Sequence, residues 1–263
     1  MIRYCPNIDI RKDAVISNKN VIEIRCVTKR FGGLFAVNEV SIHVETGGIM
    51  GLIGPNGAGK TTLLNIVAGL DAATSGSIYF NGEETTSFSP QEMCHKGLSR
   101  TFQIPQPFPR MTTLSNVLVS AYFGNLKRPA DPIQYAREQL EFVEFPLSED
   151  TLSEKLNTIQ LKRLDLARAL ASRPRVLLLD ELASGLTESE LEPLMNIIRK
   201  IRDERGITVL MVEHIMHVIM GLCERLAVLN FGNLIAEGPT MQVAQNPDVI
   251  EAYLGPDDTH CED

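Results

Sequence analysis

The sequence predicts an α/β fold built around a largely parallel sheet. Three observations carry that expectation. Short, almost wholly apolar runs recur along the chain: "GIMGLIG" (48–54), "RVLLLDE" (175–181) and "ITVLMVEH" (207–214). Runs of that kind suit strands covered on both faces. Segments of helical spacing lie between them. "LEPLMNIIRKIRDERG" places Leu194, Ile197, Ile198 and Ile201 on one face and stops at Gly206. Finally, a glycine-rich turn joins the first apolar run to a helical segment, the join a strand–loop–helix unit needs.

Taken in order, residues 1–20 alternate polar and apolar and read as an extension ahead of the folded part. From Val21 the chain turns strand-like, first in "VIEIRCVT" and then in "AVNEVSIHV", where Val37, Val40, Ile42 and Val44 alternate roughly with polar neighbours. "GIMGLIG" is a buried strand. Leu63, Leu64, Ile66 and Val67 then predict a helix from Lys60 that stops at Gly69. "GSIYFNGEE" reads as a strand and a turn. The stretch 104–155 changes character: prolines stand at 105, 107, 109, 129, 132 and 146, with helical spacing between them. It reads as a small helical insertion. Alternation of strand and helix then resumes, and "LAVLNFGNLIAEG" predicts a hairpin around Asn230 to Asn233.

The chain has 263 residues, 44% hydrophobic and 22% charged, the composition of an ordinary globular protein. No apolar run approaches the roughly 18 residues of a membrane span. The first 20 residues lack the apolar centre of a secretion signal, so a cytosolic location is expected. A formal net charge of −8 disfavours a nucleic-acid partner, which is gripped mainly through phosphate neutralisation. The five scattered cysteines include no C-x-x-C pair and read as thiols in a reducing compartment.

"GPNGAGKTT", from Gly54 through Pro55, Asn56, Gly57, Ala58 and Gly59 to Lys60, Thr61 and Thr62, fits G-x-x-x-x-G-K-S/T. The glycines let the loop curl so that backbone N–H groups converge on phosphate oxygens. The helix behind presents its positive end. Lys60 adds a point charge near the β- and γ-phosphates, and the Thr61 hydroxyl is a candidate Mg²⁺ ligand. "VLLLDE" supplies the complement: Asp180 beside the metal, and Glu181 placed to polarise an attacking water. The ligands expected are therefore ATP and Mg²⁺. Alone, an apolar run before Asp-Glu is more often a turn or helix cap; the phosphate loop upstream reverses that balance.

From Val21 to Gly255 the chain resembles the nucleotide-binding subunits of ATP-binding cassette (ABC) transporters. The resemblance implies a P-loop NTPase core with a largely parallel sheet, an antiparallel N-terminal β-subdomain and a helical insertion. It divides residues 21–263 into a core (21–103 and 156–263) and a helical subdomain (104–155). It gives Phe31 of "TKRFGG" the place of the ring that stacks on adenine. Gln103 of "SRTFQ" takes the place of the glutamine that senses the γ-phosphate and Mg²⁺ and faces the membrane partner. His214 of "LMVEH" takes the place of the switch histidine. "FGGLFAVNEVS", "RTFQIPQPFPRMTTLSNVLVSA" and "NPDVIEAYLG" are similar to the ATP-binding subunits of branched-chain amino acid importers, features shared with urea and short-chain amide importers. The function implied is an ATP-hydrolysing importer subunit on the cytoplasmic face of the membrane, working with a permease and a second cassette.

The family signature L-S-G-G-Q, which reaches the nucleotide of the opposite subunit, stands here as "LNTIQ". Leu156 and Gln160 match. Asn157 replaces the serine and can cap the helix and donate a hydrogen bond. Thr158 and Ile159 replace the glycines and bring β-branched side chains where close backbone approach is wanted. The cross-subunit contacts implied are Asn157, Thr158 and Gln160. Leu182, Thr187 and Ile215 also depart from the family pattern. A partner cassette with a better signature, giving a heterodimer, is expected ahead of a homodimer. Two other readings stay open: a cassette with no transport role, and a regulatory subunit that barely hydrolyses.

Overall fold

The computed structural model describes residues 20–126 and 128–254, so the expected N-terminal extension, apart from Asn20, lies outside the described residues. The chain opens with β1 (Asn20–Phe31), β2 (Leu34–Glu45), β3 (Ile49–Ile53), α1 (Lys60–Val67), β4 (Ser75–Phe80) and β5 (Glu83–Glu84). There follow α2 (Pro90–Lys96), β6 (Leu98–Arg100), α3 (Thr113–Phe123), α4 (Pro132–Phe142), α5 (Thr158–Ala171) and β7 (Val176–Asp180). The remainder is α6 (Glu188–Arg205), β8 (Thr208–Val212), α7 (Met216–Leu222), β9 (Arg225–Asn230), β10 (Asn233–Pro239), α8 (Thr240–Val243) and α9 (Pro247–Leu254).

One sheet has the order β2-β1-β4-β5 and is antiparallel throughout. The other has the order β10-β9-β3-β8-β7-β6 and is parallel except for the terminal β9–β10 hairpin, which closes at Asn230↔Asn233 as the sequence predicts. β1 bulges where Cys26 takes φ 47°, and β2 where Glu39 takes φ 50°. The extra residue bends each strand and strengthens its twist.

The central strands of the parallel sheet are apolar throughout because both of their faces are covered. Ile49 and Ile53 of β3, Leu177 and Leu179 of β7, and Val209 and Met211 of β8 enter one core, against α3 to α7. Met50 and Leu52, Val176 and Leu178, and Leu210 and Val212 enter the other, with α1 and the antiparallel sheet. The period-two alternation of a strand thus serves two cores. In α6, Leu194, Ile197, Ile198 and Ile201 are buried together and the helix stops at Gly206, at φ 63°.

Some elements lie outside what the sequence predicts, β6 and α2 among them. β6 is three residues long, "LSR", too short to carry a pattern. α2 did carry one: Ser89 and Glu92 form a capping box with Pro90 in the first turn. The helical spacing of "LKRLDLARAL" turns Leu164, Ala167 and Leu170 inward and predicts Arg163 and Arg168 outward, an expectation the structure corrects. Both are half-buried. Arg163 Nη1 donates to the Glu144 carbonyl, and Arg168 Nη1 to the Gln106 carbonyl at 3.0 Å. They tie α5 to the preceding helical stretch rather than facing water.

Candidate active site

The phosphate loop runs from the end of β3 to the start of α1. Gly54 has φ 144°, and a Cβ there would lie 2.0 Å from the Leu229 carbonyl oxygen; Gly59 has φ 99° and would meet the Ala36 oxygen at 2.2 Å. Only glycine fits either place. The loop is held from outside by the turn of the β9–β10 hairpin: Gly232 N–H donates to Ala58 O at 3.0 Å, and Asn38 N–H to Gly232 O at 2.8 Å. Behind it, Tyr253 of α9 shares a hydrogen bond with the Gly54 backbone. Pro55, Asn56 and Gly57 form the partly open crest, and Thr61 is exposed at the head of α1 beside the half-buried Thr62. The N–H groups of that first turn have no partner within the helix.

Lys60 is buried at 7% exposure, and its ammonium donates to Gly54 O at 2.7 Å and Pro55 O at 2.9 Å. Burial pulls its pKa below the usual lysine range, while the carboxylates of Glu181 and Asp180 pull it back up. Lys60 therefore lies within electrostatic reach of the two acidic residues at the end of β7, Asp180 and Glu181. Asp180 ends that strand almost fully buried. Its Oδ2 accepts from Arg100 Nη2 at 2.6 Å, and Arg100 Nη1 reaches Asn65 Oδ1 on α1 at 2.5 Å. Arg100 lies inside "SRTFQ", but nothing in that stretch marks it as a partner of Asp180. The register of β6 on β7, with Arg100 opposite Leu178, brings it there.

Glu181 takes φ 46°, a left-handed conformation uncommon for a glutamate. Its Oε2 accepts from Gln103 Nε2 at 2.6 Å, and its N–H donates to Val212 O at 2.9 Å. That second bond draws the end of β7 against the end of β8, two residues before the exposed His214. Lys60, Asp180, Glu181 and Gln103 are thus brought together, with His214 on the neighbouring strand end. Phe31 closes the β1–β2 hairpin, 52% exposed, with Lys29 Nζ 4.9 Å from its ring centre. Phe35, also exposed and covered by Arg30 at 5.0 Å, is a second ring on the same hairpin, nearer to Ala36, which abuts the loop.

The signature residues sit elsewhere. Asn157 caps α5 and forms a capping box with Gln160: Asn157 Oδ1 accepts from Gln160 N at 3.1 Å, and Asn157 N donates to Gln160 Oε1 at 3.0 Å. Asn157 and Thr158 are exposed, and no hydrogen bond among the described residues joins them to the phosphate loop. As for a metal, no cluster of three His, Cys, Asp or Glu exists among the described residues. The Thr61 hydroxyl, the Asp180 carboxylate and the Gln103 amide are an all-oxygen donor set, which suits Mg²⁺ retaining water ligands and bound by one carboxylate.

A phosphate loop between buried strand and helix, faced by an acidic strand end, defines a nucleotide-hydrolysing protein of the phosphate-loop class. Comparison with known proteins narrows this. The family model described as "ABC transporter" matches residues 37–184, and one described as "Branched-chain amino acid ATP-binding cassette transporter" matches residues 233–257. The chain belongs to the ABC transporter family, as an ATP-binding and ATP-hydrolysing cassette. It is 39% identical over 253 residues to the high-affinity branched-chain amino acid transport ATP-binding protein BraF of Pseudomonas aeruginosa, covering 90% of this chain and 99% of that one. It is 35% identical over 257 residues to a probable branched-chain amino acid transport ATP-binding protein LivG of Archaeoglobus fulgidus, covering 92% and 98%. Among solved structures, the ADP conformation of an ATP-binding cassette of an ABC transporter superposes with a TM-score of 0.81 at 30% identity, over 90% of this chain and 99% of that chain. These relatives do not favour a cassette without a transport role. Among the described residues, no helix is long and apolar enough to cross a membrane.

Proposed function

We propose that the chain powers uptake of amino acids of the branched-chain type, or of a related small amide, through partner permease subunits at the cytoplasmic face of the cell membrane. The observation that carries the hydrolytic part is the meeting of Lys60, Asp180, Glu181 and Gln103 around one phosphate loop. The names of the relatives support the cargo.

ATP lies on the loop N–H groups between Gly54 and Thr62, to which Pro55 contributes none, with Lys60 exchanging its bonds to the Gly54 and Pro55 carbonyls for phosphate oxygens, and Phe31 beside the base. Mg²⁺, held by Thr61, Asp180 and Gln103, would neutralise phosphate charge. Glu181 orients water for in-line attack, while Lys60 and His214 stabilise the charge that develops. Asn157, Thr158 and Gln160 serve the nucleotide of an opposed cassette. An exposed apolar strip that includes Leu70, Phe102 and Phe123 lies beside Arg100 and suits permease helices. Reconstitution with its permease in liposomes tests the reading. Leucine-type uptake should require internal ATP and vanish with Glu181→Gln. Uptake indifferent to ATP would contradict the function, and ATP-driven uptake of some other solute class would contradict the cargo.

A further inference from the structure

Glu213 precedes the exposed His214, yet it is only 1% exposed itself. Its Oε1 accepts from the Ala183 N–H at 2.8 Å, which fastens the turn immediately after Glu181. Its Oε2 is buried with no partner among the described residues. Burial pushes the carboxyl pKa up, against the Ala183 and His214 backbone N–H groups and the charges of His214 and Lys162. Burying such a group with one oxygen unsatisfied is costly, and a plain core would hold an apolar residue instead.

The same turn is held from its other side. Lys162 of α5, 2% exposed, donates to the main-chain oxygen of Glu181 at 3.3 Å. Burial lowers its pKa against the charges of Glu213, Asp165 and Glu181. No ion pair joins Lys162 to Glu213 among the described residues, but each feels the other's charge and both bond to the same turn. The backbone around Glu181 is therefore fixed at three points: its N–H by Val212, its carbonyl by Lys162, and the Ala183 N–H by Glu213. Glu181 needs such fixing because its left-handed φ is one a side-chain-bearing residue keeps only when the surroundings enforce it.

We propose that Glu213 is a positioning residue for hydrolysis: it sets the Glu181 carboxylate relative to His214, and Lys162 ties that same turn to the helix that carries the signature. The inference rests on reading Glu181 as the residue that polarises water. It adds a physical link between this chain's own hydrolytic centre and the helix end offered to the opposed nucleotide.

The test uses the full-length chain reconstituted with its partner subunits. For wild type, Glu213→Gln, Glu213→Ala, Lys162→Met and Glu181→Gln it measures kcat, KM for ATP and affinity for a fluorescent ATP analogue. Rates are normalised to chains competent to bind the analogue. Glu213→Gln retains an acceptor for the Ala183 N–H and should stay within about 3-fold of wild-type kcat. Glu213→Ala should lose about 10-fold or more in kcat with KM and analogue affinity little changed, since displacements near 1 Å at a reacting centre cost on the order of 10²-fold. A wild-type kcat for Glu213→Ala overturns the inference, as does a loss of kcat matched by an equal loss of affinity. Should Glu213→Ala bind no analogue, Lys162→Met decides: lower kcat at unchanged affinity supports the link, and wild-type kcat overturns it. Glu181→Gln that still turns over would instead overturn the reading of the catalytic residue.

Discussion

At the scale of single residues, the site is a set of buried charges held in unusual surroundings. Lys60 and Lys162 sit with their pKa values lowered by burial, and Glu213 and Asp165 with theirs raised. The Glu213 shift has a measurable consequence. Above the ordinary carboxylate value of 4.5 the unfolded chain releases this proton while the folded chain keeps it. The folded state then binds more protons, so wild-type stability falls as pH rises toward the elevated folded pKa. Glutamine does not titrate. The difference in Tm, Glu213→Gln minus wild type, should therefore grow as pH is raised from about 4.5 and then level off. A flat difference would remove the elevated pKa. Some residues were legible before the fold was known: Lys60, Asp180 and Glu181 each lie within a contiguous motif. Arg100 and Glu213 were not, because their partners, Asp180 and Ala183, lie 80 and 30 positions away along the chain. Only strand register brings them together.

At the scale of elements, the signature helix is the most informative. With Thr158 and Ile159 where the family has glycines, α5 starts on an Asn157–Gln160 capping box. Two of the three residues read as reaching another nucleotide, Asn157 and Gln160, have side chains engaged with each other's backbone, which ties the local stability of α5 to its functional end. Asn157→Ala removes the cap and should cost about 1 kcal/mol. For a chain of this size that is roughly 2–4 °C in Tm, and calorimetry checks it. An unchanged Tm would mean that the box contributes nothing to the fold. The capping box of α2, Ser89 with Glu92, is written in "SPQEM", whereas the three residues of β6 carry no pattern. β3, β7 and β8 were easy to recognise because strands serving two cores leave no polar positions. Arg163 and Arg168 were misplaced for a related reason. A 3.6-residue period marks the face that meets the sheet, but not a second contact with the neighbouring helical stretch.

At the scale of the whole molecule, the altered "LNTIQ" makes the two ends of the cassette unequal: one end carries an intact phosphate loop with its acidic strand, the other a signature without glycines. Paired with a second cassette whose signature is nearer L-S-G-G-Q, this chain's own site should be the faster of two composite sites. In such a pair the glycine-to-β-branched changes are expected to hold the opposite phosphate farther from the α5 helix end. Single-site inactivation measures this most directly. Glu181→Gln is introduced in this chain, or its counterpart in the partner, within the assembled complex, and ATP affinity and steady-state hydrolysis are followed. The account predicts near-normal ATP binding with most hydrolysis lost when Glu181 is changed, and much of it spared when the partner is changed. Undiminished hydrolysis with Glu181→Gln would contradict the central claim that this glutamate, beside Lys60 and Asp180, drives the reaction.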